Sequence, residues 1–247
     1  MADLTALKTR NAARWASAKI TRGPEFDRVA TRLVMSKPRY QAISAQTGVP
    51  WFVIAVIHER ESGQNFSKSI AQGDPWNAVS VRVPKGRGPF KTFEEAAIDA
   101  LTKCAPYAAK WKDWSAGGTM SLLEQYNGLG YANKGLPSPY IWSGTDQYQR
   151  GKYVADGVFD PNAVDKQLGC AGLIIAMQTL DPSITFGASP PPAATAQPAT
   201  KVGTASVIVA GGAVAATQAT DWKMLAVIVV GIIAALGIAY LVFKKKG

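Results

Sequence analysis

Residues 50–57 read Pro-Trp-Phe-Val-Ile-Ala-Val-Ile, eight apolar positions in a row that close on His58-Glu59-Arg60-Glu61-Ser62-Gly63. Pro50 suits the first turn of a helix and Ser62-Gly63 its end, so the fold must accommodate an apolar helix whose C-terminal turn carries carboxylates. Residues three or four apart share a helix face, which aligns Ile54, Ile57, His58 and Glu61. Glu59 lies about 200° from Glu61 and points away. Glu61 is therefore the carboxylate expected to enter a cleft against apolar neighbours, where desolvation disfavours its charged form and raises its pKa towards the range of a proton donor at neutral pH. An ordinary solvated helix end is the plainer alternative. His58, the single histidine, either supports Glu61 from one turn away or is a core residue with a satisfied ring, the commoner use of such a side chain.

Charge and aromatic content divide the 247 residues unevenly. Residues 1–182 hold 22 Lys/Arg and 16 Asp/Glu, whereas the remainder holds five Lys and one Asp. A domain of the first size can bury a proper core. The overall charge of +10 either favours anionic partners such as acidic lipid or an anionic cell wall, or merely aids solubility. No run of Lys/Arg interleaved with aromatics marks a nucleic-acid groove, so no nucleic acid is expected. Cys104 and Cys170 either form one bridge or remain buried thiols, and their apolar or small flanks favour the thiols. One histidine and two scattered cysteines assemble no metal cluster, and no cofactor is expected.

The first 182 residues read mostly as helices, at Asp27–Met35, Arg39–Gln46, the segment from Pro50, Thr119–Tyr126 and Asp165–Leu180. Thr92 could cap a further one, with Glu94 and Glu95 in its first turn and Ala96–Lys103 continuing it. Val79-Ser80-Val81-Arg82-Val83 alternates with period two, and Lys85-Gly86-Arg87-Gly88 resembles a turn. The expectation is a mainly α domain with one small β-hairpin or irregular lobe.

Beyond it, residues 183–203 form a Pro/Ala-rich linker that includes Ser189-Pro190-Pro191-Pro192. Residues 204–220 are small and uncharged, a continuation of the linker or a second span. Met224–Phe243 is an uncharged stretch of about 20 residues with Trp222 and Tyr240 near its ends and Lys244-Lys245-Lys246 after it, the pattern of a C-terminal transmembrane helix in a lipid bilayer. The N-terminus lacks the features of a secretory signal. The lysine triplet favours a cytoplasmic C-terminus, so the side of the membrane on which residues 1–182 lie depends on whether there are one or two spans.

Glu61-Ser62 followed 65 residues later by Gln125-Tyr126-Asn127-Gly128 resembles the lysozyme-like superfamily, in particular phage endolysins and soluble lytic transglycosylases, where an apolar helix ends in Glu-Ser and a Tyr-Asn-x-Gly-type motif flanks the cleft. More narrowly, residues 40–180 look like small phage and prophage lysozyme-like proteins. The stretches that carry this are Ile57-His58-x-x-Glu61, Gly73-Asp74-Pro75, Val81-x-Val83-Pro84-x-Gly86-Arg87, Tyr126-Asn127-Gly128-x-Gly130-Tyr131, Ser138-Pro139-Tyr140-x-Trp142-Ser143-Gly144-Thr145 and Gly151-Lys152-Tyr153-Val154-x-Asp156-Gly157. The Gly-Leu-Met-Gln-like stretch usual in transglycosylases is absent, which leaves hydrolase versus transglycosylase open.

The resemblance implies a lysozyme-like α+β domain that cleaves peptidoglycan glycan strands with Glu61 as the acid. Asp74 is the best second carboxylate, as water-positioner, nucleophile or charge stabiliser, against the alternative of a turn residue before Pro75. Tyr126 and Asn127 would hold a sugar amide or hydroxyl, and Tyr131, Tyr140, Trp142 and Tyr153 could stack on sugar rings or belong to the core. A wall-binding module without catalysis and a chitin-cleaving enzyme are the competing expectations.

Overall fold

The computed structural model describes residues 3–82 and 84–187. These run through helices α1 (Leu4–Ser17), α2 (Gly23–Met35), α3 (Lys37–Thr47), α4 (Trp51–Ser62) and α5 (Phe93–Lys103), then a 3-10 turn at Ala108–Lys110. Helix α6 (Ala116–Asn127) and the short α7 (Gly130–Asn133) and α8 (Pro139–Trp142) follow. Strands β1 (Lys152–Ala155) and β2 (Val158–Asp160) pair antiparallel before α9 (Cys170–Leu180). The described residues are therefore mainly helical with one two-stranded sheet. The expected transmembrane helix at 224–243, the segment 204–220 and most of the linker 183–203 lie outside them.

Helix α4 is the axis of the core. Every residue from Phe52 to His58 is buried, and α2, α3, α6 and α9 all pack against it. A helix apolar on all sides has no solvent face to present, and each large apolar side chain so buried contributes about 1.5–3 kcal/mol. Around it α1 lies on α6, α2 on α9, and α3 on α5. Among the described residues no single helix is long and apolar enough to cross a membrane. Helices α3 and α4 together reach the required length and hydropathy, but a bend of 113° separates them.

Local signals set several helix ends. Thr92 caps α5 as expected, its hydroxyl accepting the Glu95 N–H, and Ser115 does the same for α6 through the Gly118 N–H. Pro50 is the residue immediately before α4 rather than part of its first turn. Helix α9 begins at Cys170, five residues later than Asp165, because Asp165 is drawn into an ion-pair cluster described below. Helix α1 is additional to the helices expected from the sequence; Asp3 caps it by accepting the Thr5 N–H.

The β structure is displaced from where the alternation put it. Residues 79–82 form no strand: Val79 and Val81 are 54% and 74% exposed, while Ser80 is buried. Side-chain bonds to the backbone prevail there, with the Ser80 hydroxyl donating to the Pro84 carbonyl at 2.8 Å and accepting the Arg87 N–H at 2.9 Å. The hairpin is instead β1–β2, turning at Asp156-Gly157 with Gly157 at φ 70° and a bulge between Tyr153 and Ala155. Asp-Gly between two apolar runs is a strong hairpin signal.

Candidate active site

Glu61 occupies the last turn of α4, which ends one residue later. Gly63 takes a left-handed conformation at φ 60°, its N–H donating to the Glu59 carbonyl at 2.9 Å, and the Gln64 N–H reaches the His58 carbonyl. This closure stops the helix directly behind the carboxylate. A loop then returns so closely that a Cβ on Gly73 (φ 70°) would lie 2.8 Å from the Glu61 carbonyl oxygen. Only glycine permits both the approach and the dihedral.

Glu61 is largely enclosed, and burial pushes its carboxyl up to about 7. Two groups oppose that rise. The Tyr140 hydroxyl donates to Glu61 Oε1 at 2.9 Å, and the Arg60 guanidinium lies nearby. Tyr140 comes from α8, is itself buried, and carries Arg60 over its ring at 4.6 Å. Burial and the neighbouring Glu61 drive the Tyr140 phenol far up, so it serves as a proton-bearing donor.

Beside this pair opens a cleft of about 540 Å³, walled by Arg60, Asn127, Tyr131, Tyr140, Lys152 and Tyr153 among others. Asn127 is exposed at the end of α6, and Tyr131 lies on α7 with its hydroxyl accepting the Tyr153 N–H at 2.9 Å. Tyr131, Tyr153 and Phe159 form an edge-to-face cluster that ties the hairpin to α7. The hairpin thereby forms one wall of the cleft.

Other expected site residues have different surroundings. Tyr126 is close enough to feel the Glu61 charge, but its hydroxyl donates to the Ile70 carbonyl at 3.0 Å and pins the loop after α4. Trp142 is 0% exposed in the core, so the expectation that it stacks on a ligand is corrected: its ring has no exposed surface for a sugar to meet. His58 is a core residue. The Tyr40 hydroxyl lies 2.9 Å from its Nδ1, Phe66 and Phe93 pack around it, and burial lowers its pKa to about 4. Cys104 and Cys170 are buried free thiols.

Asp74 is buried, and both its oxygens have partners within its own loop. Oδ2 accepts the N–H groups of Val81 and Arg82, each at 3.0 Å, and Oδ1 lies 3.4 Å from Arg82 Nη1. The two backbone bonds and the Arg82 charge hold the carboxyl below the usual aspartate range.

A charged cluster in the wall has no counterpart in the sequence reading. Asp165 accepts from Arg60 Nη2 at 3.2 Å and from Lys152 Nζ at 2.9 Å. Burial works to raise its pKa, but Lys152 and Arg60 together hold it down. The partners are 105 and 13 residues from Asp165 in sequence, so no local spacing announces the cluster. Comparisons with protein-family models, with curated proteins and with solved structures find no match to this chain.

Proposed function

We propose that the chain is a muralytic glycosidase, cutting the β-1,4 bond between N-acetylmuramic acid and N-acetylglucosamine in peptidoglycan, with Glu61 as its proton donor. The observation that carries this reading is a carboxyl raised to about 7 at the end of a core helix, beside a cleft with tyrosine and asparagine in its walls. Such a group is protonated near neutrality and can donate to the leaving glycosidic oxygen as the C1–O bond breaks. The Tyr140 bond occupies Oε1 and leaves Oε2 to deliver the proton. The resulting oxocarbenium centre takes either water or the sugar's own 6-hydroxyl, whose proton returns to the Glu61 carboxylate. With the Asp74 carboxylate turned to backbone amides, Glu61 acts alone, as acid and then as base. A lysozyme-like arrangement of the helix, cleft and small β element belongs to the same proposal, as does tethering to a bacterial inner membrane or virion membrane through 224–243 in a phage or prophage setting.

A second reading, a peptidoglycan-binding anchor without catalysis, draws on the place of Glu61 behind Tyr140: Tyr140 lines the cleft and Glu61 does not. Digestion of purified peptidoglycan by the full-length chain, wild type beside Glu61→Gln, with products identified by mass spectrometry, separates them. Reducing ends from the wild type alone establish a hydrolase, and anhydro-muramyl ends a transglycosylase. Wall binding with no product from either protein refutes the enzyme and leaves the anchor. Parallel digestion of chitin tests the remaining substrate class.

A further inference from the structure

The wall of the cleft holds two cations on one carboxylate. Arg60 and Asp165 have side chains only 6% exposed, and their ion pair is backed by the Leu168 carbonyl, which accepts from Arg60 Nη1 at 3.1 Å. Asp165 Oδ1 also accepts the Gln167 N–H at 3.3 Å, so the acid is fixed from several sides. Lys152 is different. Its side chain is 38% exposed, it lines the cleft, and its ammonium makes one bond, to Asp165 Oδ1. Among the described residues two of its three hydrogens have no protein acceptor. Arg60, Asp165 and Lys152 together leave one positive charge, placed on the group that faces the cavity. The other acid in the lining, Asp156, is exposed at the hairpin turn. Solvent screens its charge more than that of a partly enclosed ammonium.

We propose that Lys152 is a carboxylate-recognition subsite of this cleft, with Arg60 and Asp165 as positioning residues that hold the ammonium towards bound ligand. The inference rests on the glycan-cleaving reading and narrows it to an acidic glycan. Neutral N-acetylhexosamine chains offer nothing for an ammonium to neutralise, whereas peptidoglycan carries carboxylates on its stem peptides and, where a muramic residue lacks its peptide, on the lactyl ether. The partly enclosed ammonium recognises that shared chemistry through charge-assisted hydrogen bonds.

The test is calorimetric or NMR titration of the full-length chain with N-acetylmuramic acid, N-acetylmuramyl dipeptide and N-acetylglucosamine. Wild type, Lys152→Gln and Lys152→Arg are compared. Lys152→Gln is expected to weaken an acidic ligand on the order of tenfold. Lys152→Arg should preserve most of the affinity, and the neutral sugar should be indifferent to both. Sensitivity of the monosaccharide assigns the lactyl carboxylate, and sensitivity of the dipeptide alone assigns the peptide. Acidic ligands unchanged by Lys152→Gln, or a neutral sugar weakened equally, overturn the subsite. Digestion of peptidoglycan by the same wild-type preparation reports separately on the underlying reading. Cleavage with lysine-indifferent binding removes the subsite alone, and lysine-dependent binding without cleavage removes the enzyme alone.

Discussion

The Tyr140 hydroxyl meets Glu61 Oε1 at 2.9 Å across 79 residues of sequence, and this bond ties α8 to the carboxyl at the end of α4. Burial raises the Glu61 carboxyl while the Tyr140 hydrogen bond stabilises its charged form, so the value near 7 is a balance between the two. Removing Tyr140's hydroxyl should tip that balance upward. In Tyr140→Phe the alkaline limb of the pH–rate profile is expected to move to higher pH by about one unit, since a hydrogen bond to a charged group is worth about 1.5–3 kcal/mol. A profile of kcat against pH for wild type and variant measures it, and an unmoved limb would show that the bond does not set the titration.

Glu61→Gln should lower glycan cleavage by about two to four powers of ten, the usual range for loss of general acid catalysis. The same change should stabilise the fold at alkaline pH. Below the ordinary glutamate value the side chain is protonated in folded and unfolded chains alike. Between that value and about 7 the folded chain binds the extra proton, so stability falls as pH rises, and above 7 the cost of the buried charge is fully developed. The shift corresponds to about 3 kcal/mol. Denaturant titrations at pH 4 and pH 8 should show the variant matching wild type at the first and exceeding it at the second.

Asp74 has the opposite sign. Its folded value is depressed by the Val81 and Arg82 N–H groups, so its stabilisation is present above the ordinary aspartate value and is lost as pH falls through the folded one. Asp74→Asn is expected to lower Tm at pH 6 and to make little difference at pH 2. If Asp74 shapes the loop, kcat should fall by less than tenfold. A drop of several powers of ten with an unchanged Tm would instead make it a second catalytic carboxylate.

Asp165→Asn strips the counter-charge from a buried Arg60 and should cost about 3–5 kcal/mol of stability. Lys152→Gln, which removes the more exposed partner, should cost much less. Urea unfolding of both variants compares them directly.

Gly73→Ala introduces a Cβ 2.8 Å from the Glu61 carbonyl oxygen at a left-handed dihedral, for an expected loss of about 1–2 kcal/mol. Because the clash falls on the residue that bears the acid, activity should fall more than the stability change implies. Cleavage assayed well below Tm checks this.

What could be read in the sequence was local. The apolar body of α4, the Ser62-Gly63 stop and the Thr92 cap are each written within a few residues, and their structure follows. The alternation at 79–82 was also local, yet a carboxylate at 74 and a hydroxyl at 80 outbid it for the backbone. The hairpin at 152–160 has its own local signal in Asp156-Gly157, which is shorter than the alternation at 79–83 and competes with it as the mark of the β element. The Arg60–Asp165 contact and the burial of Trp142 depend on how distant elements meet, and no spacing in one chain reveals them.

Apart from the Arg82 guanidinium at 3.4 Å, the hold of Asp74 on its loop is exerted through main-chain N–H groups at 81 and 82, a recognition blind to side-chain identity. Any residue other than proline can present the same amide, and the outward valines at 79 and 81 add little to the core. The exposed positions 79 and 81 can therefore change their surface character over evolutionary time, or by grafting, while Gly73 keeps the base of the loop and the Glu61 carbonyl in register.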